Sequence, residues 1–565
     1  ALPPVALAPP LLPPPPPPPA AFSAAGGVGR SSPPVEARPL EGGAPCEGGA
    51  PCAGGALLRL LHERRRALVG DPEGAALLDF LLQRAAVPFF DMLQAWVYRG
   101  VCHDPYGEFM VRANPTLQKE ELKRDFNCSY WQRRFTLARE QLPAFLEPHA
   151  QLILDCGKHL HVVRECGRAP ECPEARRDPI VFSTDERALS AWVEAAWEWA
   201  SAALLQLLMG EQRLMGRLAS IKHYFLLDQG DFFVHFLDSA EDELVKPVAA
   251  IARGRLHSKL ELSLRQAATD DPFKGSLSCD LLPYNLTKQL LRIINTSRAS
   301  ASAVPTPQSA ERTPGLDAFT FDYAVEWPLS LVLSKNAITK YQLIFRHLFH
   351  CKHVERQLSS SWLTQQATKG LTGVAACFSA SYGLRQRMLH FLQNLEYYMM
   401  FEVLEPNWHV LLQKLGAARK LDELLAQHNG FLDKCLKECM LRDAVLLKLL
   451  AKLLTVCVIF ADHTRLVMQD VAQVLAATPL ASHGDARREQ LRALSAQVAH
   501  TIADCRYNAS VQKLGAKFDA EMTALLAELR KQAHREWNLA HLCARLDYNQ
   551  YWQGRPPPPL AAAPG

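Results

Sequence analysis

One segment changes its hydrophobic period halfway along, and that change limits what the chain can become. From Phe321 to Trp327, the residues Phe321, Tyr323, Val325 and Trp327 alternate with Asp322, Ala324 and Glu326. This is the two-residue period of an extended segment with one buried edge. Pro328 has no amide hydrogen to give a strand ladder and ends the segment. Beyond Ser334, the residues Tyr341, Ile344, Phe345, Leu348, Cys351, Leu358 and Trp362 recur at helical spacing, which predicts a long helix with one apolar side. Ser334 is its expected N-cap, the hydroxyl accepting an amide of the first turn.

The helical period dominates elsewhere too. Leu77, Leu78, Phe80, Leu81 and Leu82 begin a packed helix that Val87-Pro88 interrupts, and Phe90, Leu93, Trp96 and Val97 form the next stripe. Trp192, Trp197, Leu204, Leu207 and Leu208 mark a longer helix ending near Gly210. Further on, one face runs from Leu384 through Met388, Phe391, Leu392, Leu395 and Tyr398 to Met399. Leu421, Leu424, Leu425, Phe431, Leu432, Cys435 and Leu436 make a second, and Phe518, Met522, Leu525, Leu526 and Leu529 a third. A short strand fits around Ile180 to Ser183, but no alternation of strands and helices develops. Each stripe offers ~10 kcal/mol of gross burial, at about 1.5–3 kcal/mol per large side chain. Ordering the ~20 residues that carry it costs at least as much backbone entropy. The helices must therefore pack together, and the expected fold is all-α: an elongated rod of stacked helical bundles in two domains.

Composition shifts suggest the boundaries. Residues 1–56 are rich in proline, glycine and alanine, with an unbroken proline run from Pro13 to Pro19; such a segment buries little apolar surface and is expected to be disordered. Residues 57–296 form the expected N-terminal domain, 297–315 (with Pro305, Pro307 and Pro314) a linker, 316–555 the C-terminal domain and 556–565 a proline-rich tail.

Several chemistries find little support. A net charge of +4 over 565 residues gives no reason to expect nucleic acid or membrane as partner. The fifteen cysteines are scattered through helical segments, as reduced core residues would be. Sequons at Asn127, Asn285, Asn295 and Asn508 would matter only in a secreted chain. The apolar start is broken by Pro3, Pro4, Pro9 and Pro10 and lacks a basic opening, so it does not read as a signal peptide. The longest clean apolar run, Leu453 to Ala461, falls well short of the roughly 20 residues of a spanning helix, and the chain reads as cytosolic. His347, His350, Cys351 and His353, joined by Cys435 and Cys439, are the best candidate zinc ligands, followed by Cys166 and Cys172 with His159 and His161. Neither set has the spacing of a zinc site, and no metal or cofactor is expected. Gly26 to Ser31 lacks the lysine and preceding strand of a phosphate loop. Asp228, Asp231, Asp238, Glu241 and Asp242 offer no pair singled out for acid–base work. An enzyme is not expected.

The motifs carry a resemblance. Trp327-Pro328-Leu329, Lys340-Tyr341, Phe345 and the run from Arg346 to Arg356 are similar to the gamma-tubulin complex proteins, or gamma-ring proteins. Ser220 to Asp238 fits the same family through Lys222, Phe225, Gln229, Gly230, Asp231 and Phe236. Trp96 to Gly100 with Asp104 to Phe109, and His390 to Glu405 with Trp408, complete the set, in the family's order. The resemblance covers roughly residues 57–552 and implies that the opening helices of the N-terminal domain are missing or replaced, as in a fragment.

What the resemblance implies is a scaffold. The C-terminal domain would grip gamma-tubulin, the N-terminal domain would join neighbouring components side by side, and any GTP would belong to gamma-tubulin. Such an array would template microtubule nucleation at centrosomes and spindle poles. The helix after Ser334 carries a basic ridge suited to an acidic partner, and the expected contacts are Lys340, Arg346, His350, Lys352 and Arg356, with Arg385 and Arg387 as a second patch. A helical tethering or trafficking scaffold unrelated to microtubules is the alternative that periodicity alone leaves open.

Overall fold

The computed structural model describes residues 52–552 apart from 69, 118–131, 171–181, 183–185, 268–269, 297–313, 367–373, 478–484 and 535. The Pro-rich segment up to residue 51, the linker up to 313 and the tail from 553 lie outside the described residues. So do Ile180, Val181 and Ser183, where the sequence allows a short strand.

Helices dominate, and they gather around two apolar clusters. The first spans Leu58 to Ala200. It is built from α1 (Gly55–Ala67), α2 (Pro72–Arg99), α3 (Ala150–Glu165) and α4 (Glu186–Gln206), with the antiparallel pair β1 (Val111–Ala113) and β2 (Phe135–Leu137). Asp71 caps α2 by accepting the amides of Glu73 and Gly74 at 3.2 and 3.1 Å, and Gly100 ends it in the left-handed region at φ 63°. Contrary to expectation, α2 runs through Pro88 without a break. A proline inside a helix costs about 3 kcal/mol. Burial of Ala86, Phe89, Phe90 and Leu93 around it, at about 1.5–3 kcal/mol for each large side chain, exceeds that. The start of α2 also faces differently from its reading as a packed stripe: Leu82 is buried, but Leu77 and Phe80 are 61% and 55% exposed.

The second cluster runs from Val162 to Trp552. Its strands β3 (Leu277–Leu281) and β4 (Phe319–Tyr323) pair antiparallel, with Cys279 opposite Phe321 and Leu277 opposite Tyr323. The expected extended segment is thus a strand that starts two residues earlier and ends at Tyr323. β3 precedes and β4 follows residues 297–313, and both belong to this one cluster. Around them stand α5 (Leu214–Phe225), α6 (Gly230–Leu244), α7 (Arg253–Gln266), α8 (Leu286–Thr296) and α9 (Lys335–Gln366). Ser334 caps α9 as expected, its Oγ accepting the Ala337 amide at 3.3 Å. The remaining long helices are α10 (Ser379–Tyr397), α11 (Glu405–Ala417), α12 (Leu421–Glu438), α13 (Ala444–Ala477), α14 (Asp485–Asp504), α15 (Tyr507–Ala533) and α16 (Trp537–Leu546). By length and apolar composition α13 could cross a membrane. Leu446, Leu450, Leu453, Cys457, Phe460 and Val467 along it are instead buried in the second cluster.

One contact in the first cluster leaves no room for a side chain. A Cβ on Gly157 of α3 would lie 1.9 Å from the Trp96 ring, whose Nε1 donates to the Ile153 carbonyl at 2.9 Å. Alanine is the better helix former by about 1 kcal/mol, yet Gly157→Ala is expected to destabilise by roughly 1–3 kcal/mol through overpacking. A lower urea midpoint at unchanged slope would confirm it; a rise in the midpoint would refute it.

Candidate functional site

The α9 helix was expected to present a one-sided basic ridge, and the structure corrects this. It lies at the centre of the second cluster, against β4, α10, α12 and α13, so polar side chains on several of its faces are buried with the apolar ones. Arg346 is 3% exposed, and His347 and His353 are buried as well. The Arg346 guanidinium donates to the Tyr284 carbonyl at 2.7 Å, the Asp317 carbonyl at 2.6 Å and Gln289 Oε1. Burial pulls its pKa down to about 10 against the attraction of Asp317, so it remains charged at neutral pH. It holds α8 and the turn before β4 onto α9, a structural role in place of the expected surface contact.

The other expected contacts are half-buried, and all but Arg385 have acidic neighbours in this chain. Lys340 pairs with Asp433 at 2.7 Å, and His350 Nδ1 lies 3.7 Å from Asp317. Lys352 bridges Glu355 at 2.9 Å and the buried Glu396. Arg356 pairs with Asp238 and Arg387 with Asp519. Arg385 stacks over the Trp362 ring at 4.6 Å. An acidic partner would have to compete with these carboxylates, which weakens a purely electrostatic contact.

The buried imidazoles and thiols are held neutral. Burial pushes His347, His353 and His428 down to about 4, while it raises Glu396 to about 7 despite Lys352 beside it. The thiols of Cys351, Cys435, Cys439 and Cys457 are all raised by burial, which leaves them protonated and unreactive. Among the described residues, no three His, Cys, Asp or Glu side chains converge as metal ligands would. Cys172 lies outside the described residues.

A second surface escaped the sequence reading. At the end of α10 the chain enters a π-helical turn, Tyr398–Leu404, a distortion frequent at functional sites. Tyr397 and Phe401 are 44% and 57% exposed there, their rings 5.0 Å apart. Arg545 of α16 covers Tyr397 at 4.2 Å and pairs with Glu402. Trp537, at the start of α16, is 75% exposed and lies 4.8 Å from His541, which also approaches Glu402. Tyr548, equally exposed, lies against His390. Exposed aromatics grouped in this way are characteristic of protein interfaces. Periodicity could not reveal them, because a helical stripe and an exposed patch use the same residue types.

Comparison with known proteins covers both halves of the chain. The family model described as "Gamma tubulin complex component N-terminal" matches residues 46–211, and "Gamma tubulin complex component C-terminal" matches 214–552. The chain is 42% identical over 519 residues to Gamma-tubulin complex component 2 of Mus musculus, covering 88% of this chain and 57% of that protein. It is 36% identical over 508 residues to the Gamma-tubulin complex component 2 homolog of Drosophila melanogaster, covering 88% and 58%. Spindle pole body component alp4 of Schizosaccharomyces pombe is 33% identical over 462 residues, covering 72% and 59%. The chain therefore spans a little over half the length of these relatives.

Two tests follow from the burial on α9. Arg346→Glu is expected to lower stability by about 3–5 kcal/mol, since it sets a carboxylate among carbonyl oxygens, whereas Lys340→Glu should change it by less than about 1 kcal/mol; equal urea midpoints would refute the difference. His428, whose Nε2 meets the Tyr341 hydroxyl at 3.1 Å, has a folded pKa of about 4, below its unfolded value of 6.5. The unfolded state therefore binds the extra proton between those values. The stability this group contributes is present above pH 6.5 and is lost toward pH 4, by up to about 1.4 kcal/mol per pH unit. His428→Gln should thus lose less stability than the parent between pH 7.5 and 5.0, and parallel losses in urea titrations would count against it.

Proposed function

This chain belongs to the gamma-tubulin complex component family, and on that premise we propose that it is a non-catalytic scaffold subunit that binds gamma-tubulin and templates microtubule nucleation. The observation that carries the reading is that both family models match, in order, over 46–211 and 214–552. Its partners would be gamma-tubulin, through the C-terminal part (316–555), and other gamma-tubulin complex components, through lateral contacts of the N-terminal part (57–296). Its place would be the cytoplasm, at centrosomes and spindle poles; relatives named as spindle pole body components support that location. Nucleation needs no chemical step in this chain. Fixing several gamma-tubulins side by side raises their effective concentration, so the first lateral contacts of a microtubule no longer depend on chance encounter.

For the gamma-tubulin contact, the aromatic surface is the anchor we favour. Tyr397, Phe401 and Trp537 offer large rigid area that is exposed in the free chain, the chemistry of interface hot spots. Lys340, Lys352, Arg356, Arg385 and Arg387 would form a charged flank, with a smaller effect because each is already engaged within the chain.

Retention of the full chain on immobilised purified gamma-tubulin tests both points. The parent protein is expected to bind. Phe401→Ser with Trp537→Ser should weaken binding by about tenfold or more, and Lys340→Glu with Lys352→Glu by a few-fold, more at low salt than at high. A folded parent that retains no gamma-tubulin would defeat the scaffold reading. Full binding by the Phe401/Trp537 variant would defeat only the anchor.

A further inference from the structure

Where α8, α9, α13 and α15 meet, a cavity of about 520 Å³ opens between them, within the roughly 300–1,000 Å³ range of small-molecule sites. One wall is apolar, formed by Leu286, Leu316, Leu447, Leu450 and Leu454. The other carries Arg346 and His347 inside and Lys452, Lys517 and Glu521 toward the exposed edge.

Three features point to an occupant. His347 is 3% exposed and its Nε2 has no hydrogen-bond partner among the described residues, although buried ring nitrogens are normally satisfied. Lys452 pairs with Glu521 at 3.2 Å, yet the cationic lining groups Arg346, Lys452 and Lys517 still outnumber the carboxylates of Asp317 and Glu521 by one, while burial keeps His347 neutral. The leucine wall gives water few hydrogen-bonding partners, so ordered water is a poor filling for the space as a whole. We infer that this cavity binds a small amphiphilic organic anion, its charged oxygens toward His347, Arg346 and Lys452 and its apolar body against Leu447, Leu450 and Leu454. The inference does not depend on gamma-tubulin binding.

The probe is 8-anilinonaphthalene-1-sulfonate, titrated into the full chain at neutral pH and followed by fluorescence. One saturable site is expected, with the neutral N-phenyl-1-naphthylamine binding about tenfold more weakly. Ala451→Trp, which places an indole in the cavity from a half-buried position on α13, should abolish that site. Lys452→Glu with Lys517→Glu, both at the exposed edge, should weaken it about tenfold, and this pair decides the matter if Ala451→Trp fails to fold by circular dichroism. Absence of a saturable site in the parent would overturn the inference. So would affinity unchanged in the lysine pair, which would assign the fluorescence to exposed apolar surface such as Trp537.

Discussion

The packing of β4 on α9 decides where the rest of the second cluster goes. Phe321 lies 4.7 Å from Phe345, and Phe319 lies 5.2 Å from Phe349. Phe225 of α5 and Phe236 of α6 close on the same rings, at 6.1 Å from Phe345 and 5.3 Å from Phe319. Stacked, tilted and edge-on aromatic pairs add about 0.5–1.5 kcal/mol each beyond their buried area. The strand is thereby held to α9, which follows it, and to α5 and α6, which are distant in sequence. Polar contacts fix the register: Gln342 donates to the Phe321 carbonyl at 2.9 Å, and the Tyr323 hydroxyl donates to Ser220 at 3.4 Å. One turn further along α9, Arg346 draws in the turn before β4 and the start of α8.

The same geometry explains why positive charge on α9 is a poor guide to a binding face. A surface helix has one buried stripe, and whatever lies opposite it is in water. A central helix buries most of its circumference, so a basic residue on it must find oxygen atoms inside the protein. Arg346 finds two backbone carbonyls and a glutamine, and Lys352 finds the buried Glu396. Their cost of desolvation is offset by those contacts, and little of that charge is presented on the outer surface to a partner protein.

The sequence made the existence and type of the main elements legible. The change of period at Phe321 became β4 and α9, the Ser334 cap formed, and the stripes Leu384–Met399 and Phe518–Leu529 are buried. Those signals are local: a hydroxyl reaches its own first turn, and a stripe needs only a neighbour of some kind. What stayed hidden depends on which neighbour arrives. Pro88 reads as a break until Phe89 and Phe90 are seen buried beside it, and Leu77 and Phe80 read as core until nothing described covers them. The candidate site was legible only in part for the same reason. Residue types named Lys340 and Lys352, but their carboxylate partners on α12 and α10 lie 93 and 44 residues away and follow from tertiary structure alone.

The two apolar clusters are not joined by a flexible tether. On α3, Ile153 and Leu160 belong to the first cluster while Val162 and Val163 belong to the second; on α4, Ala196 and Ala200 belong to the first and Leu204 to the second. Each helix crosses the divide without a break, and a helix is stiff over the roughly 16 Å that eleven residues span. The crossing is pinned beside α12: the Leu421 amide donates to Ser201 at 3.1 Å, and Lys420 sits over the Trp197 ring at 4.6 Å. A displacement imposed on the first cluster would therefore be carried into the second as movement of packed helices, not absorbed in a loop. For the scaffold role proposed above, continuity of this kind would matter more than the strength of any one contact. Along α4 the first departure from regular helix comes just beyond Leu204, at the π-helical turn Leu207–Glu211.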